Sequence, residues 1–230
     1  LVGSEMCIRD SSHYTYQETG KNLVHSNFLH SLLLDHSGNV WVGSEFAGVT
    51  LLSVLSEGSY RIYPEHESIN DYVNAIRTVV KMPDGGFWFG TRQGNVYAYD
   101  KNLEAASCYK MPYNYIYAAS CDGDGKLWLG TRTMGLCIDG RWYHKMAGDT
   151  LSLAHENIFD IYRDDKNRMW IGTFGGGLNL AVSRKDRYVF RKFLTGSGRL
   201  QEVRMITQDN KKRLWVGTCL LYTSDAADEL

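Results

Sequence analysis

The residues best suited to recognise a ligand occur at one recurring place in the sequence, directly after short Gly-Ser or Gly-Thr pairs. These residues are Glu45, Phe46, Arg92, Arg132 and Phe174. A guanidinium presents a planar fork of donors to carboxylates and hydroxyls, and an aromatic ring presents an apolar face to a sugar. The chemistry that this set predicts is recognition of a charged or neutral oligosaccharide.

Signatures of catalysis and of metal or phosphate binding are weak by comparison. The seven His are scattered without metal-ligand spacing, and no Gly-x-Ser-x-Gly elbow accompanies them. The stretch Asp122 to Gly125 lacks the spacing and the distal Glu of a calcium loop, and the glycines Gly175 to Gly177 lack the following Lys of a phosphate loop. The sequence predicts no catalytic constellation, no metal site and no cofactor.

The elements that carry the candidate residues repeat along the chain. Each repeat is marked by Trp-x-Gly, at Trp41 with Gly43, Trp88 with Gly90, Trp128 with Gly130, Trp170 with Gly172, and Trp215 with Gly217. Successive Trp residues are 47, 40, 42 and 45 positions apart. A period of this length is typical of propellers and solenoids, and the Gly-rich spacing leaves no window for helical periodicity.

Other positions keep the same register and predict how each repeat folds. Apolar residues lie nine and twelve positions before the Trp, which indicates a short strand. Asp lies six positions before the Trp in every repeat but the second, where Met82 replaces it. Asp and Gly supply the backbone hydrogen bonds and positive φ of a tight turn, so a hairpin joins this strand to the Trp strand.

A third apolar strand and a fourth aromatic-bearing strand complete each repeat, which predicts an all-β, partial β-propeller of four-stranded antiparallel blades. About four blades are complete and a fifth is partial. The predicted blades cover residues 27–64, 73–112, 114–146, 156–194 and 201–218.

This topology predicts the face of the blade on which each turn lies. The first and third turns of an up-and-down blade lie on one face, and the second turn lies on the other with the connection between blades. The residues after Gly-Ser and Gly-Thr should therefore share a face with the inter-blade residues Tyr72, Tyr113, Tyr115 and Asn157. The repeated Trp residues, in contrast, are expected to pack between neighbouring blades, with a structural role.

The composition is that of a globular protein, and its charge limits the classes of partner to be expected. The chain is 43% hydrophobic and 22% charged, with a net charge of -1. Neither a basic excess nor a basic block predicts nucleic acid or an anionic membrane surface as partner, and no apolar run approaches the length of a membrane span. No nucleic acid and no membrane contact by this segment are expected.

Three cysteines lie in the repeats, Cys108, Cys121 and Cys137. An odd number cannot pair completely. We expect three small buried hydrophobic residues, with a Cys121 to Cys137 disulfide as the alternative.

The two ends of the chain do not continue the repeat. Residues 1–10 and 219–230 resemble translations of the two transposase adapters used in sequencing libraries, because Met6 to Asp10 and Cys219 to Ser224 can be encoded by complementary strings. Both segments are expected to be non-native, so the natural segment is residues 11–218 and no signal peptide can be read from either end.

The repeat itself resembles that of two-component regulator propellers, whose core reads Asp-x-x-Gly-x-hydrophobic-Trp-hydrophobic-Gly-Thr followed by Gly-Gly-Leu. The segment from Asp164 to Leu178 matches this core closely. The resemblance covers nearly all of residues 11–218. It implies a fragment of the periplasmic sensor region of a hybrid histidine kinase that senses an oligosaccharide, with the remaining blades, the signalling domains and a second copy of the parent as partners.

Two alternatives remain open from the residues. The first is a fragment of a propeller polysaccharide lyase or hydrolase, which needs convergent acid and base residues, whereas the starts of the first strands offer mostly apolar and amide residues. The second is a non-catalytic protein-interaction propeller, which needs an exposed apolar patch on one face.

Overall fold

The structure is a computed structural model that describes residue 24 and residues 26–45, 47–53, 58–64, 74–111, 115–196 and 201–218. The adapter-like segments predicted at 1–10 and 219–230 lie outside the described residues. The chain divides into two compact units, Leu1–Ile76 and Arg77–Leu230.

The first unit contains one four-stranded antiparallel sheet in the order β1-β2-β3-β4. Its strands are β1 (Leu29–Leu34), β2 (Val40–Ser44), β3 (Val49–Ser53) and β4 (Gly58–Ile62). Trp41 pairs with Leu33 on one side and Leu51 on the other, and it is buried. The four strands follow one another as the repeat predicts.

The second unit contains three more four-stranded sheets and one hairpin, all antiparallel. Its strands are β5 (Ile76–Lys81), which begins at the boundary between the units, β6 (Phe87–Thr91), β7 (Asn95–Tyr99), β8 (Ala105–Lys110), β9 (Ile116–Cys121), β10 (Leu127–Thr131), β11 (Leu136–Ile138), β12 (Arg141–Tyr143), β13 (Ile158–Arg163), β14 (Met169–Thr173), β15 (Leu178–Arg184), β16 (Arg187–Phe193), β17 (Val203–Gln208) and β18 (Leu214–Thr218). The predicted fold class, four-stranded antiparallel blades with a partial fifth, is confirmed. Blades 1 to 5 are numbered below by the order of these sheets along the chain.

The Asp that precedes each Trp by six residues ties the first turn to the Trp itself. In blade 3, Asp122 accepts the backbone N–H groups of Asp124 and Lys126 at 3.0 and 2.9 Å. Its other carboxylate oxygen accepts the indole N–H of Trp128 at 3.1 Å. The same three-way contact recurs at Asp35, Asp164 and Asp209. Blade 2 has Met82 at this position and lacks this carboxylate.

Within the second unit, the Trp residues lie against the blade that follows. Trp128 is fully buried in a cluster with Ile158, Met169 and Phe190 of blade 4, and Trp170 packs with Val203 of blade 5. Trp88 is half-buried beside Ile116 and Leu129 of blade 3, and Trp215 of the last described hairpin is 54% exposed.

The glycine two residues after each Trp leaves room for the next first strand. A Cβ at Gly130 would lie 2.4 Å from Ile158, one at Gly172 would lie 2.7 Å from Val203, and one at Gly90 would lie 2.9 Å from Ile116. Because real Cβ atoms do not approach so closely, a side chain here would push neighbouring blades apart. Gly43 is likewise crowded, by Ser31, whereas Gly217 has only Met205 nearby at 3.6 Å.

The cysteine expectation is wrong in one respect, because Cys108 on β8 is exposed. Cys121 and Cys137 are buried free thiols. They lie on β9 and β11, which are separated by β10, and two strand spacings of about 4.8 Å exceed the reach of a disulfide. Among the residues that the structure describes, no helix is long and apolar enough to cross a membrane.

Candidate ligand-binding site

The second turn of each blade is fixed by the hydroxyl of its Gly-Thr or Gly-Ser pair. Thr131 donates to the carbonyl of Gly135 at 3.0 Å and accepts the N–H of Met134 at 3.0 Å. Thr173 donates to Gly177 at 2.8 Å, and Ser44 donates to Gly48 at 3.0 Å. Both Thr residues are fully buried. The residue that follows each pair is therefore presented from a constrained turn.

That following residue also bonds back to the segment that enters its own blade. The N–H of Arg132 donates to the carbonyl of Tyr115 at 3.2 Å, and the N–H of Phe174 donates to the carbonyl of Asn157 at 2.9 Å. In the first unit, Glu45 bonds in the same way to Phe28 at 3.0 Å. Two of the residue groups expected to share a face, the residues after Gly-Thr and the inter-blade residues, are thus brought together in blades 3 and 4.

Tyr115 is the point where blades 2 and 3 meet on this face. Its N–H donates to the carbonyl of Arg92 at 2.8 Å, and its own carbonyl accepts from Arg132. Its φ of 75° is unusual for a bulky residue and costs of order 1 kcal/mol or more. The guanidinium carbons of Arg92 and Arg132 each lie 5.7 Å from its ring centroid. Backbone bonds and cation–π contacts together hold this ring.

The first strands contribute residues that the sequence analysis missed. The second residue of each first strand is His30, Arg77, Tyr117, Phe159 or Arg204, eleven positions before the Trp. In blades 1, 3, 4 and 5 this residue is a β-bulge, left without a direct partner on the neighbouring strand. A bulge re-aims its side chain and is over-represented beside binding sites. The expectation that first-strand starts offer mostly apolar and amide residues is therefore wrong at this position.

Four rings from three second-unit segments form a continuous aromatic row, which we define as Tyr115, Tyr117, Phe159 and Phe174. The centroids of Tyr115 and Tyr117 are 6.4 Å apart with nearly parallel planes. Those of Tyr117 and Phe159 are 5.1 Å apart at an interplanar angle of 13°, and Phe159 and Phe174 are 5.4 Å apart at 46°. All four rings are half-buried. The row runs from the entry of blade 3 to the second turn of blade 4.

Every ring of the aromatic row lies within 6 Å of a guanidinium. The four groups, which we call the row arginines, are Arg77, Arg92, Arg132 and Arg204. Arg204 lies 4.2 Å from the centroid of Phe159 and 4.8 Å from that of Phe174, and Arg77 lies 5.6 Å from that of Tyr117. Arg132 and Arg204 are exposed, and Arg77 and Arg92 are half-buried. The surface therefore combines aromatic rings with guanidinium groups.

A buried carboxyl lies behind the row. Asp160 follows Phe159 on β13, and its carboxyl accepts the N–H of Ile161 and that of Ile206 on β17. Burial raises the pKa of Asp160 to about 6, although the two N–H donors act in the opposite direction. Thr78 makes the corresponding inter-blade bond from β5, accepting the N–H of Ala119 at 3.1 Å. These contacts join successive first strands.

The remaining predicted residues fall outside this group. Glu45 belongs to the first unit, where its carboxylate is hydrogen-bonded to the imidazole of His30. Phe46, Tyr72 and Tyr113 lie outside the described residues. Within the part of the chain that the structure describes, no group of three His, Cys, Asp or Glu side chains could hold a metal ion.

Comparison with known proteins shows which family repeat this chain is similar to. The model of the family described as "Two component regulator propeller" matches residues 110–133 and 152–175. A curated relative, Histidine kinase P4 of Formosa agariphila, is 23% identical over 215 residues. The alignment covers 86% of this chain but 16% of the relative, so the chain spans about a sixth of that protein.

Solved structures share the fold. The extracellular domain of the hybrid two-component system BT3049 of B. thetaiotaomicron superposes with a TM-score of 0.65 at 23% identity, over 84% of this chain and 26% of that one. Virginiamycin B lyase of Staphylococcus aureus superposes with a TM-score of 0.61 at 13% identity, over 82% and 62%. The lyase shares the fold alone, whereas the family match falls on the turns and strands that carry Tyr115, Arg132 and Phe174. Residues 110–133 and 152–175 of this chain are therefore similar to the repeat of the two-component regulator propeller family.

Proposed function

We propose that this chain is part of the periplasmic ligand-sensing region of a two-component signalling protein, and that it binds an oligosaccharide. The observation that carries the proposal is the coincidence of the family repeats with the aromatic row and the row arginines. The solved relative from B. thetaiotaomicron and the histidine kinase of Formosa agariphila support the signalling context. The description of that solved domain as extracellular supports a periplasmic location.

The site suits a sensor because it joins several blades. Residues of blades 2, 3, 4 and 5 contribute to it, so a ligand that contacts them all favours one arrangement of these blades over others. A ligand shifts a conformational equilibrium only by its difference in affinity for the two states. In the parent protein, that difference would bias the kinase through the remaining blades, and a second copy of the parent is the expected signalling partner.

Titration calorimetry of the intact parent sensor region against an oligosaccharide library tests the proposal. Saturable binding of one saccharide class, lost on replacement of Tyr117 by Ala, is the expected result. Absence of binding across the library would contradict it. A parent gene without kinase and membrane-spanning segments would contradict the signalling role separately.

One observation favours the enzymatic alternative. His30 and Glu45 form a directly hydrogen-bonded imidazole–carboxylate pair in the first unit, the kind of pair that serves general acid–base catalysis. Incubation of the chain with polysaccharides, followed by assay of new reducing ends and of unsaturated products, distinguishes the two functions. A sensor forms neither product. A lyase or hydrolase forms one of them, and His30→Ala should abolish that activity.

A further inference from the structure

We infer that a second binding site lies at the outer edge of the junction between blades 2 and 3, and that it takes a neutral sugar unit of an oligosaccharide. Four side chains line it, which we call the rim aromatics: Trp88, Tyr109, Trp142 and His144. None of them belongs to the aromatic row. The inference rests on the proposed function for its class of ligand and on the rim aromatics for its place.

The strand register turns two rings of blade 2 toward blade 3. Trp88 on β6 pairs with Ala98 on β7. Tyr109 on β8 pairs with Val96, which lies two residues before Ala98. Side chains that pair directly or lie two positions apart share one face of a sheet. Because Val96 packs against Leu129 of blade 3, this face is the one that meets blade 3.

Blade 3 contributes two rings from the other side of the junction. Trp142 on β12 pairs with Cys137 on β11, and Cys137 lies in the same buried cluster as Val96. Trp88 and Trp142 both pack against that cluster. The ring of His144, two residues beyond Trp142, stacks on it at a centroid distance of 6.1 Å and an interplanar angle of 12°. Each blade therefore brings one pair of rings to the same junction.

Tyr109 has a ring face that is open to solvent. Its ring stacks on that of Trp88, with centroids 5.4 Å apart and an interplanar angle of 4°, and such a stack covers one face. Tyr109 is 51% exposed, so the other face is accessible. At the next junction the rings are covered, because Trp128 is fully buried and the ring centroid of Tyr188 from blade 4 lies 4.8 Å from that of Trp128. The junction between blades 2 and 3 thus leaves a ring face for a sugar.

Trp88 differs from the other repeated Trp residues in its indole N–H. In the other four blades, the equivalent indole donates to the Asp carboxylate six positions earlier. Met82 occupies that position in blade 2, and the nearby Asp84 accepts the N–H of Gly86 at 2.9 Å instead. Among the residues that the structure describes, the Trp88 indole has no acceptor. A sugar hydroxyl would supply one.

The strands present uncharged side chains at this surface, which favours a neutral sugar. Alternation along β8 places Ser107 on the same face as Tyr109, and Lys110 on the opposite face. The Nδ1 of His144 lies 3.5 Å from the carboxylate of Glu156, so a charge on this imidazole is offset by its neighbour. An open ring face with a few hydroxyl and N–H groups is the mixture that orients a bound small molecule.

The test is proton–nitrogen correlation NMR of the full 230-residue chain, in which each of the six Trp gives one indole N–H signal. The probes are maltohexaose, cellohexaose and mannohexaose, with decaproline as a peptide probe. One sugar unit on one ring should bind with a Kd on the order of 1 mM. We expect a neutral sugar to shift the signals of Trp88 and Trp142. The signals of Trp128 and Trp170, whose indoles are bonded to Asp carboxylates, should stay in place.

Two substitutions probe the rim directly. Tyr109→Ala removes the open ring and should weaken sugar binding about tenfold, as measured by the shift of the Trp142 signal. Trp88→Phe keeps a ring but removes the indole N–H, and should weaken binding about threefold to tenfold. Phe28→Ala is the control for loss of an exposed ring, since Phe28 is 68% exposed in the first unit. Trp215→Phe is the control for loss of an indole, and both controls should bind as the unsubstituted chain does.

The outcomes separate this inference from the proposed function. Shifts that persist at the same affinity in Tyr109→Ala, or equal losses in Tyr109→Ala and Phe28→Ala, would overturn the rim site. Shifts with decaproline and with none of the sugars would overturn it too, because the surface would then bind peptide. Saccharide binding that depends on Tyr117 and moves neither Trp signal would overturn the rim site and leave the proposed function in place. Shifts of the Trp88 and Trp142 signals without any dependence of binding on Tyr117 would support the rim site and contradict the role of the aromatic row.

Discussion

Removal of the Asp122 carboxylate should destabilise the protein by about 2–6 kcal/mol, although Asp122 lies in a turn. The carboxylate satisfies two turn N–H groups and the indole N–H of Trp128, whose side chain is fully buried. A buried donor left without a partner costs about 1–3 kcal/mol, and each of the two turn bonds contributes about 0.5–1.5 kcal/mol. Asp122→Ala loses all three.

Asp122→Asn provides an intermediate case. The amide keeps one acceptor oxygen, but its NH2 group must face either the indole N–H or the turn N–H groups, and donors then oppose donors. We expect a loss of about 2–3 kcal/mol. Asp124→Ala is the control, since Asp124 is an exposed residue of the same turn and its replacement should change stability by less than about 0.5 kcal/mol.

Equilibrium unfolding in urea, followed by tryptophan fluorescence at pH 7, measures these changes. The reasoning predicts the order Asp124→Ala, Asp122→Asn, Asp122→Ala for increasing loss, with similar denaturant slopes. If the unfolding free energy of Asp122→Ala lies within about 1 kcal/mol of that of the unsubstituted chain, the hydrogen bond between Asp122 and Trp128 does not stabilise the blade. The role assigned to the repeated Asp would then be wrong.

Two further predictions concern the contacts between first strands. The pKa of Asp160 is raised from 3.8 to about 6, so the folded state binds a proton at this carboxyl more tightly than the unfolded state does. The stabilisation by the protonated carboxyl is therefore complete below about pH 4 and is lost as the pH rises through 6. The unfolding free energy should therefore fall by about 3 kcal/mol from pH 4 to pH 7 relative to Asp160→Asn, and parallel pH profiles for the two proteins would contradict the shift. Gly130→Ala should cost about 1–3 kcal/mol in thermal or urea unfolding because its Cβ would meet Ile158, whereas Gly196→Ala, with open space around it, should cost little; equal costs would refute the close approach.

The repeat register predicted most of the fold because the residues at its positions make their contacts within a few residues of the chain. Asp164 and the Gly-Thr pair at 172–173 act within a few residues of themselves, so their turns can be read from spacing alone. The hydrogen bond from the Trp indole N–H to the Asp carboxylate could not be predicted so directly. It depends on the turn bringing a carboxylate beside a side chain six positions later, which is a property of folded geometry.

The candidate site was only half predictable for the same reason. Arg132 and Phe174 were identifiable because they follow Gly-Thr, but Tyr117, Phe159 and Arg204 were not, since strict alternation along a strand does not anticipate a bulge. A signal was nevertheless present in the register. The position eleven before each Trp holds His, Arg, Tyr, Phe and Arg, all large residues with a ring or a guanidinium, beside a position that is always aliphatic.

The most direct test of the central claim is amide hydrogen exchange of the chain with and without the oligosaccharide that the intact parent sensor region binds most tightly in titration calorimetry. The account predicts protection in the segments 115–117, 132–135, 157–160 and 174–177, which carry or adjoin the aromatic row. The Asp turns at 122–126, 164–168 and 209–213 lie at the other ends of the same hairpins and should be unchanged. Protection confined to those Asp turns, or no protection at saturating glycan, would contradict it.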